Sequence, residues 1–376
     1  MSITKVDVVI VGGGNIGTAA GYFLSKLGKK VIIIERDSIG AHASGFAYGS
    51  LNPLGGIGIP GPILPLAIEA MKLHEYMHQL LIAETGIDTQ FNKKPNLTLA
   101  FNEEEEVNLK ERFSWQQAQQ DYRVKWLQHE DLKSIDSRIS NQALGGVLIE
   151  GTAEVDSYRL VLALTQAAEK QGVEYRLDQV IGLKTKLSKV TGVITKTSEF
   201  ECEQVLLATG PWGGETSKWL NIEIPVGPLK GQIIRLQAPD PRLEFTIGWS
   251  GNYATTKSDG LLWAGTTEEE AGFNDSLTTE ARDSIMKALL TMMPDMESAR
   301  LITQTACLRP VSSDGLLLLG QIPSWEGIYA ANGAGRKGIL LGLLMAKIVT
   351  DLMLDIPIDL PINPFRVDRF TDLTTN

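Results

Sequence analysis

The sequence predicts an α/β fold of two domains, one with a parallel β-α-β unit and the other with a mainly antiparallel sheet. Residues 5–36 contain a β-branched run, a cluster of glycines, a helical pattern and a second β-branched run. Residues 226–267 instead resemble successive antiparallel strands rich in Trp, Tyr and Thr. The length of 376 residues, with 43% hydrophobic content, favours two domains over one.

The elements of the first half follow from periodicity and from glycine and proline placement. A loop or lid is expected where GGIGIPGP interrupts every regular pattern, and a solvated helix face where four glutamates are followed by many glutamines. In chain order we predict a strand at 7–11, a helix at 18–27, a strand at 31–35, a loop at 49–65, a helix at 66–84 and a solvated helix at 103–121.

The second half alternates helical and strand patterns. In order these are a helix at 156–172, strands at 174–183, 190–197 and 205–210, antiparallel strands at 226–267, a helix at 278–292, strands at 315–320 and 327–332, and a helix at 338–354. This interleaving predicts discontinuous domains. We expect one domain from 1–50, 146–222 and 305–370, and the other from 51–145 and 223–304.

Composition excludes several classes of partner. The net charge of -10 gives no basic face for nucleic acid or anionic lipid, so a small molecule is the expected ligand. Cys202 and Cys307 lack the spacing of a metal site, and no metal is predicted. No stretch approaches the length of a transmembrane helix, and the apolar run at 6–11 is too short for a signal peptide. These features predict a cytoplasmic protein.

The first candidate binding site is a glycine-rich turn between the first strand and the first helix. Gly12, Gly14 and Gly17 form GxGxxG, and Glu35 ends the next strand 23 residues after Gly12. Such glycines allow a tight turn, close approach of a pyrophosphate and close helix packing, while the acid accepts ribose hydroxyls. This predicts a Rossmann-type site for NAD or FAD. The turn itself also contains Asn15 and Ile16.

Several separated blocks resemble the glycine oxidase and D-amino acid oxidase family of FAD-dependent enzymes, which includes sarcosine oxidases and amino acid dehydrogenases. The blocks are VDVVIVGGGNIG, ERDSIGAHASGFAYGSLNP, VLLATGPW, LKGQ, LLWAGTTEEEAGF, CLRPVSSDG and NGAGRKGILLG, and residues 55–145 match poorly. The resemblance implies FAD rather than NAD. It also implies a Rossmann-type FAD-binding domain and a discontinuous substrate domain on a mainly antiparallel sheet.

The resemblance implies further cofactor contacts outside the glycine turn. Val180 matches the position whose backbone meets adenine, and Gly210 a second close passage of the chain. Ser44 is alternatively a simple turn or N-cap serine. The remaining contacts implied here are Arg36, Ala43, Gly49 and Trp212.

The segment before the last helix resembles the family's flavin-facing helix start. Its amides would point at flavin N1 and the C2 carbonyl, where partial positive charge favours the reduced flavin. Lys337 would add to that charge, the alternative being a solvated lysine. The residues concerned are Gly333, Gly335, Arg336, Lys337, Gly338 and Ile339.

The resemblance favours noncovalent FAD. Phe46 occupies the position of the tethering histidine of some relatives, and His42 lies four residues too early. Cys307, seven residues before Asp314, resembles the tethering cysteine of monomeric sarcosine oxidases and is the alternative.

Three residues resemble substrate ligands. Arg309 matches the arginine that binds the substrate carboxylate, and Arg336 a second arginine near it. Tyr253 matches a tyrosine that caps the carboxylate or amine, but Gly251 replaces the histidine of glycine oxidase-like sequences. The alternatives are an ion pair between Arg309 and Asp314 or another acid, and a core-packing role for Tyr253.

The resemblance implies oxidation of a D-amino acid, glycine, sarcosine or related N-alkyl amino acid. Hydride would pass to flavin N5, and the imine would hydrolyse to an oxo acid. The electrons would then go to oxygen or to a quinone or protein acceptor. The alternatives are a 2-hydroxy acid dehydrogenase and the flavin-binding subunit of a heteromeric amine or amino acid dehydrogenase, and a homo-oligomer is also consistent with the sequence.

Overall fold

The computed structural model describes residues 4–374, with only the backbone of 371–374. Its α-helices are α1 Asn15–Lys26, α2 Ala43–Phe46, α3 Ile63–Thr85, α4 Glu103–Gln116, α5 His129–Ile135, α6 Ser157–Lys170, α7 Ser217–Leu220, α8 Thr279–Met292 and α9 Gly338–Met353. Short 3-10 helices cover Gly210–Thr216, Pro294–Ser298, Gly335–Lys337, Asn363–Phe365 and Val367–Thr374. None of the described helices is long and apolar enough to span a membrane.

The strands confirm the predicted mixture of parallel and antiparallel structure. They are β1 Thr4–Lys5, β2 Val8–Val11, β3 Val31–Glu35, β4 Ser50–Leu51, β5 Asn92–Lys93, β6 Asn96–Ala100, β7 Arg123–Gln128, β8 Gly145–Glu150, β9 Ala153–Glu154, β10 Glu174–Leu177, β11 Val180–Lys186, β12 Lys189–Thr195, β13 Glu199–Glu201, β14 Gln204–Leu207, β15 Val226–Gln237, β16 Thr246–Trp249, β17 Asn252–Thr256, β18 Leu262–Gly265, β19 Arg300–Ser312, β20 Leu318–Gln321 and β21 Ile328–Asn332.

The first of two compact units is built on a six-stranded sheet and comprises Met1–Phe91, Val155–Leu229 and Leu308–Asn376. The strand order is β10-β3-β2-β14-β21-β20, and all neighbours are parallel except β20 and β21. Buried β-branched residues fill β2 and β3, as expected for a parallel sheet covered on both faces. The carboxyl ends of β2, β14 and β21 therefore lie at one edge.

Helices and a second sheet cover the two faces of this parallel sheet. Ile10 and Ile33 pack against α1 at Gly21, which has no side chain, so the helix lies close to the strands. On the other face, Val9 and Val11 belong to a buried cluster that extends into the sheet β1-β13-β12-β11. Helix α9 packs on α1 and α3.

The second unit comprises Asn92–Glu154 and Lys230–Cys307. Its main sheet has the order β19-β15-β18-β17-β16-β6-β8-β7, and the only parallel pair among its described pairings is β16 with β6. Ile234 and Ile247 point to a core that includes Ile285 and Leu289 of α8. The sheet is thus mainly antiparallel, as the sequence predicted.

The predicted domain boundaries differ from the structure at four places, two of which are short: residues 223–229 belong to the first unit and residues 305–307 to the second. Residues 51–91 were expected in the second domain but belong to the first unit, because α3 packs on α6 and α9. Residues 146–154 belong to the second unit, because β8 pairs with β6 and β7. Helix α1 begins at Asn15 rather than at residue 18, since Gly14 is its extended N-cap. The assignment of FAD and substrate to the two domains stays a prediction.

A cluster of buried charges lies in the second unit. Glu154 is 3.6 Å from the ammonium groups of both Lys94 and Lys257, and all three side chains are almost fully buried. Lys94 also donates to the carbonyl of Thr256 at 2.5 Å. Burial lowers the pKa of Lys94, and the charge of Glu154 opposes that change. The carboxylate therefore offsets part of the desolvation cost of two cations.

Replacing Glu154 with Gln should destabilise the protein by about 3 kcal/mol, because a buried ion pair that loses one partner leaves uncompensated charge. The shift in urea unfolding measures this. Glu199→Gln is the matched control, because its ion pair with Lys184 lies at the surface, where water screens the charges, so its loss should cost much less stability. Equal losses in the two variants would contradict the interpretation.

Candidate active site

The glycine turn at the carboxyl end of β2 is closed by two contacts that leave no room for a side chain. Gly12 has φ +112°, and a Cβ on it would lie 2.4 Å from the carbonyl oxygen of Ala208. A Cβ on Gly17 would lie 1.9 Å from the carbonyl oxygen of Gly12. The first turn of α1 therefore sits directly on the strand end. Its free amides are available to an anion such as a phosphate.

Glu35 is held beside this turn by two backbone amides. Its Oε2 accepts from the Gly13 amide at 2.7 Å, and its Oε1 accepts from the Asp37 amide at 3.0 Å. Each carboxylate oxygen can accept a further hydrogen bond. Glu35 is therefore fixed where its carboxylate can accept hydrogen bonds from the hydroxyl groups of a ribose bound at the turn.

Two more predicted cofactor residues are brought to the same place. Ser44, in the short helix α2, accepts from the Asn15 amide at 3.0 Å, so it tethers the start of α1. The segment before Val180 is hydrogen-bonded to the end of β3, because the Asp178 amide donates to the Glu35 carbonyl at 2.9 Å. The Oδ1 atom of Asn15 is buried and has no hydrogen-bond partner among the described residues. The residues present thus fit an adenine dinucleotide.

Arg36 and Trp212 stack on each other, which the sequence had not indicated. The guanidinium carbon lies 3.7 Å from the centre of the indole ring. His42 approaches the same ring at 4.7 Å and bonds Asp37 at 2.7 Å. The hydrogen bond from His42, with help from Arg36, holds the pKa of Asp37 below its ordinary value. Only the proximity of these residues in the ERDSIGAH block hinted that His42 and Asp37 belong here.

Lys337 directly precedes α9, and its ammonium group is held by carbonyl groups of residues 52–55. Its Nζ donates to the carbonyl of Gly55 at 2.5 Å and lies 3.4 Å from that of Asn52. The residue as a whole is half-buried, but its ammonium group is enclosed. Burial, together with the charge of Arg336, lowers its pKa to about 8. Lys337 is therefore not simply a solvated lysine.

The three predicted substrate ligands do not all lie in the same unit. Arg309 is buried in β19, in its first-unit part, while Arg336 is exposed in the turn Gly335–Lys337. Tyr253 is half-buried in β17 of the second unit. Asp314, the acid suggested as an alternative partner of Arg309, forms an ion pair with Arg369 at 2.8 Å.

All residues predicted to bind the cofactor lie in the first unit. Among them are Ile16, Ala43, Gly49, Gly210, Gly333, Gly338 and Ile339. Cys307 is half-buried and is not part of a disulfide. No group of His, Cys, Asp or Glu in the described part of the chain could hold a metal ion.

Fold and glycine turn together define a two-unit protein whose predicted dinucleotide site lies at the carboxyl edge of a parallel sheet, the usual position in such folds. The family model DAO, "FAD dependent oxidoreductase", matches residues 7–352. The chain belongs to this family. It is an FAD-dependent oxidoreductase.

The chain is similar over nearly its full length to proteins of known description. Glycine oxidase of Geobacillus kaustophilus is 30% identical over 343 residues, covering 90% of each chain. The crystal structure of glycine oxidase from Geobacillus kaustophilus superimposes with a TM-score of 0.93 at 29% identity, covering 97% of this chain and 99% of that one. The hydrogen cyanide synthase subunit HcnC of Pseudomonas aeruginosa is 27% identical over 401 residues, covering 97% and 96%.

Gly17→Ala should abolish FAD binding and lower the melting temperature, because the new methyl group overlaps the Gly12 carbonyl and pushes α1 off the turn. Gly182→Ala is the control, since a Cβ there meets nothing within 4 Å and φ is not positive. The ratio of flavin to protein absorbance gives the FAD content. Normal FAD content in Gly17→Ala would refute the role of this contact.

Lys337 should make stability depend on pH in the FAD-free protein, where the cofactor's phosphates do not alter its charge environment. The folded chain loses this proton near pH 8, whereas an unfolded lysine keeps it to about pH 10.4. The unfolded state then binds more protons, so Lys337 makes stability rise between pH 8 and 10.

The measurement compares melting temperatures of the wild type and Lys337→Met from pH 7 to 10. The difference, wild type minus variant, should increase with pH above 8. Lys72→Met, at an exposed position, should show a constant difference. A constant difference for Lys337→Met as well would show that its pKa is not lowered.

Proposed function

We propose that this enzyme oxidises a small carboxylated amine, namely a D-amino acid, glycine, sarcosine or related N-alkyl amino acid, to an imine that water hydrolyses to an oxo acid. The observation that carries the proposal is the near full-length likeness to glycine oxidase, with 30% identity and a TM-score of 0.93. The FAD is noncovalent in this proposal, with Cys307 not bonded to the flavin.

Arg309 is the proposed carboxylate ligand. A guanidinium can bind a carboxylate through two charge-assisted hydrogen bonds, which fixes both the position and the orientation of the substrate. Burial supports this role, because a site shielded from water strengthens such a pair. Arg336 and Tyr253 stay predicted ligands of the carboxylate or the amine.

No side-chain base is needed. Bound FAD supplies the two-electron acceptor for the hydrogen on the α-carbon. The substrate amine must be neutral, so it loses a proton to solvent before oxidation. The histidines have other partners: His74 bonds carbonyls of α9, His78 bonds Thr89, and His129 bonds the Ala143 carbonyl. The chain's own contribution is therefore orientation and electrostatics.

Gly251 bears on which amine is used. Glycine oxidase-like sequences have a histidine where this chain has Gly251, two residues before Tyr253. Loss of an imidazole enlarges the space near Tyr253 and removes a polar group. We therefore expect amines larger than glycine to be accepted.

A second candidate function is supported by the likeness to HcnC, which is described as a subunit of hydrogen cyanide synthase. In this case the chain is the flavin-binding subunit of a heteromeric amine or amino acid dehydrogenase, and a partner takes the electrons. The same carboxylate ligand and cofactor residues serve both candidates.

The test is anaerobic mixing of the purified FAD-loaded protein with a panel of D-amino acids, glycine, N-methyl amino acids and 2-hydroxy acids. Loss of flavin absorbance with an amine is the expected result, and readmitted oxygen then distinguishes an oxidase from a dehydrogenase. Reduction by hydroxy acids alone would overturn the amine assignment. Absence of reduction together with a co-purified partner would favour the subunit role.

For a substrate found in this way, Arg309→Met should lower kcat/KM by roughly a hundredfold, because hydrogen bonds to a charged group are lost. The FAD content should not change. Arg176→Met is the control, since Arg176 is an exposed residue paired with Glu174. A variant with unchanged kcat/KM would remove Arg309 from the site.

A further inference from the structure

The carbonyls in the first turn of α9 accept hydrogen bonds from two side chains of other helices. His74, in α3, places Nε2 at 2.9 Å from the Ile339 oxygen and 3.1 Å from the Leu340 oxygen. Asn15, in α1, donates from Nδ2 to the Gly338 oxygen at 3.1 Å. Three successive peptide groups thus receive donors in addition to the hydrogen bonds of the helix itself.

His74 is a neutral donor with a defined tautomer. Its side chain is fully buried, and burial lowers its pKa to about 4. Both of its Nε2 partners are carbonyl oxygens, so Nε2 must carry the proton. His74 therefore donates a hydrogen bond without adding charge near the helix.

These bonds act on the free amides of the same turn. The first amides of a helix have no partner inside it. Each carbonyl is conjugated with the amide of the next residue, so the carbonyls of residues 338 and 339 are linked to the amides of residues 339 and 340, which precede the first intrahelical hydrogen bond. A donor bound to a carbonyl polarises its peptide group, and the attached N–H becomes a stronger donor.

The location of this turn connects it to the cofactor. Helix α1 follows β2 and α9 follows β21, and both strands end at the same edge of the parallel sheet. Ligands of such sheets bind outside that edge. Asn15 belongs to the glycine turn and also touches α9, and its buried Oδ1 has no partner in the described part of the chain. The start of α9 therefore borders the dinucleotide site.

We propose that His74 and Asn15 are positioning residues that raise the reduction potential of the bound flavin by strengthening the amide donors at the start of α9. The proposal rests on the proposed function and on the family resemblance, which implies that these amides face the flavin ring. Stronger donors stabilise the electron-rich reduced flavin more than the oxidised flavin. Neither residue needs to touch the cofactor ring for this effect.

The test measures the midpoint potential of the FAD-loaded protein by anaerobic equilibration with a reference dye. His74→Met fills the space but donates no hydrogen bond, whereas His74→Gln retains a donor near the position of Nε2. In His74→Met the equilibrium should shift toward oxidised flavin by up to about fivefold, the upper limit set by one net hydrogen bond, which is about 20 mV for a two-electron couple. His74→Gln should restore most of the shift.

Two controls separate this effect from a structural role. Met77→Leu, at another buried position of α3, should leave the potential unchanged although it alters packing. The difference between the wild type and His74→Met should be constant from pH 6 to 8, because His74 stays neutral there. A pH-dependent difference would indicate a charge effect and would overturn the proposal.

Asn15→Leu provides an independent measurement if His74→Met does not retain FAD, and it should shift the potential in the same direction. An unchanged potential in a variant that binds FAD would overturn the proposal while leaving the proposed function intact. Failure of every amine to reduce the wild-type flavin would instead reject the proposed function, and the potentials would still decide the role of His74.

Discussion

The contact between Gly17 and the carbonyl of Gly12 is the constraint on which the first unit of this protein depends. It allows α1 to begin directly at the end of β2, where its amides are free and Glu35 is held by the Gly13 amide. Helix α9 then packs on α1, with Asn15 joining the two helix starts. The absence of a side chain at Gly17 thus sets the positions of the N-termini of α1 and α9 at one edge of the parallel sheet.

The two units bury cations by different physical means. In the second unit, the carboxylate of Glu154 lies between Lys94 and Lys257, so opposite charge compensates for lost hydration. In the first unit, the described hydrogen bonds of Lys337 go to carbonyl oxygens, and its pKa falls to about 8. Dipoles compensate a cation less fully than an ion does. Lys337 therefore retains the capacity to interact with an anion.

Family membership and substrate choice rest on different parts of the chain. The blocks that identify the family lie mostly in the first unit, which contains every predicted cofactor residue. The region that matches poorly, residues 55–145, contributes α4, β6 and β7 to the second unit. Gly251 lies in that unit too. The cofactor is therefore established more firmly than the amine that the enzyme oxidises.

The sequence alone determined the parallel β-α-β unit, the antiparallel sheet and the family, because glycine spacing and strand periodicity are local signals. The role of Glu35 as a ribose ligand stays a prediction, and the structure shows its carboxylate bonded to the Gly13 amide. The sequence misassigned residues 51–91, because packing of α3 on α6 and α9 leaves no local pattern. The stacking of Arg36 on Trp212 and the bonds from His74 to α9 join residues 176 and 265 positions apart. Only the tertiary structure could decide them, because such contacts depend on how distant helices and loops pack and not on the order of neighbouring residues.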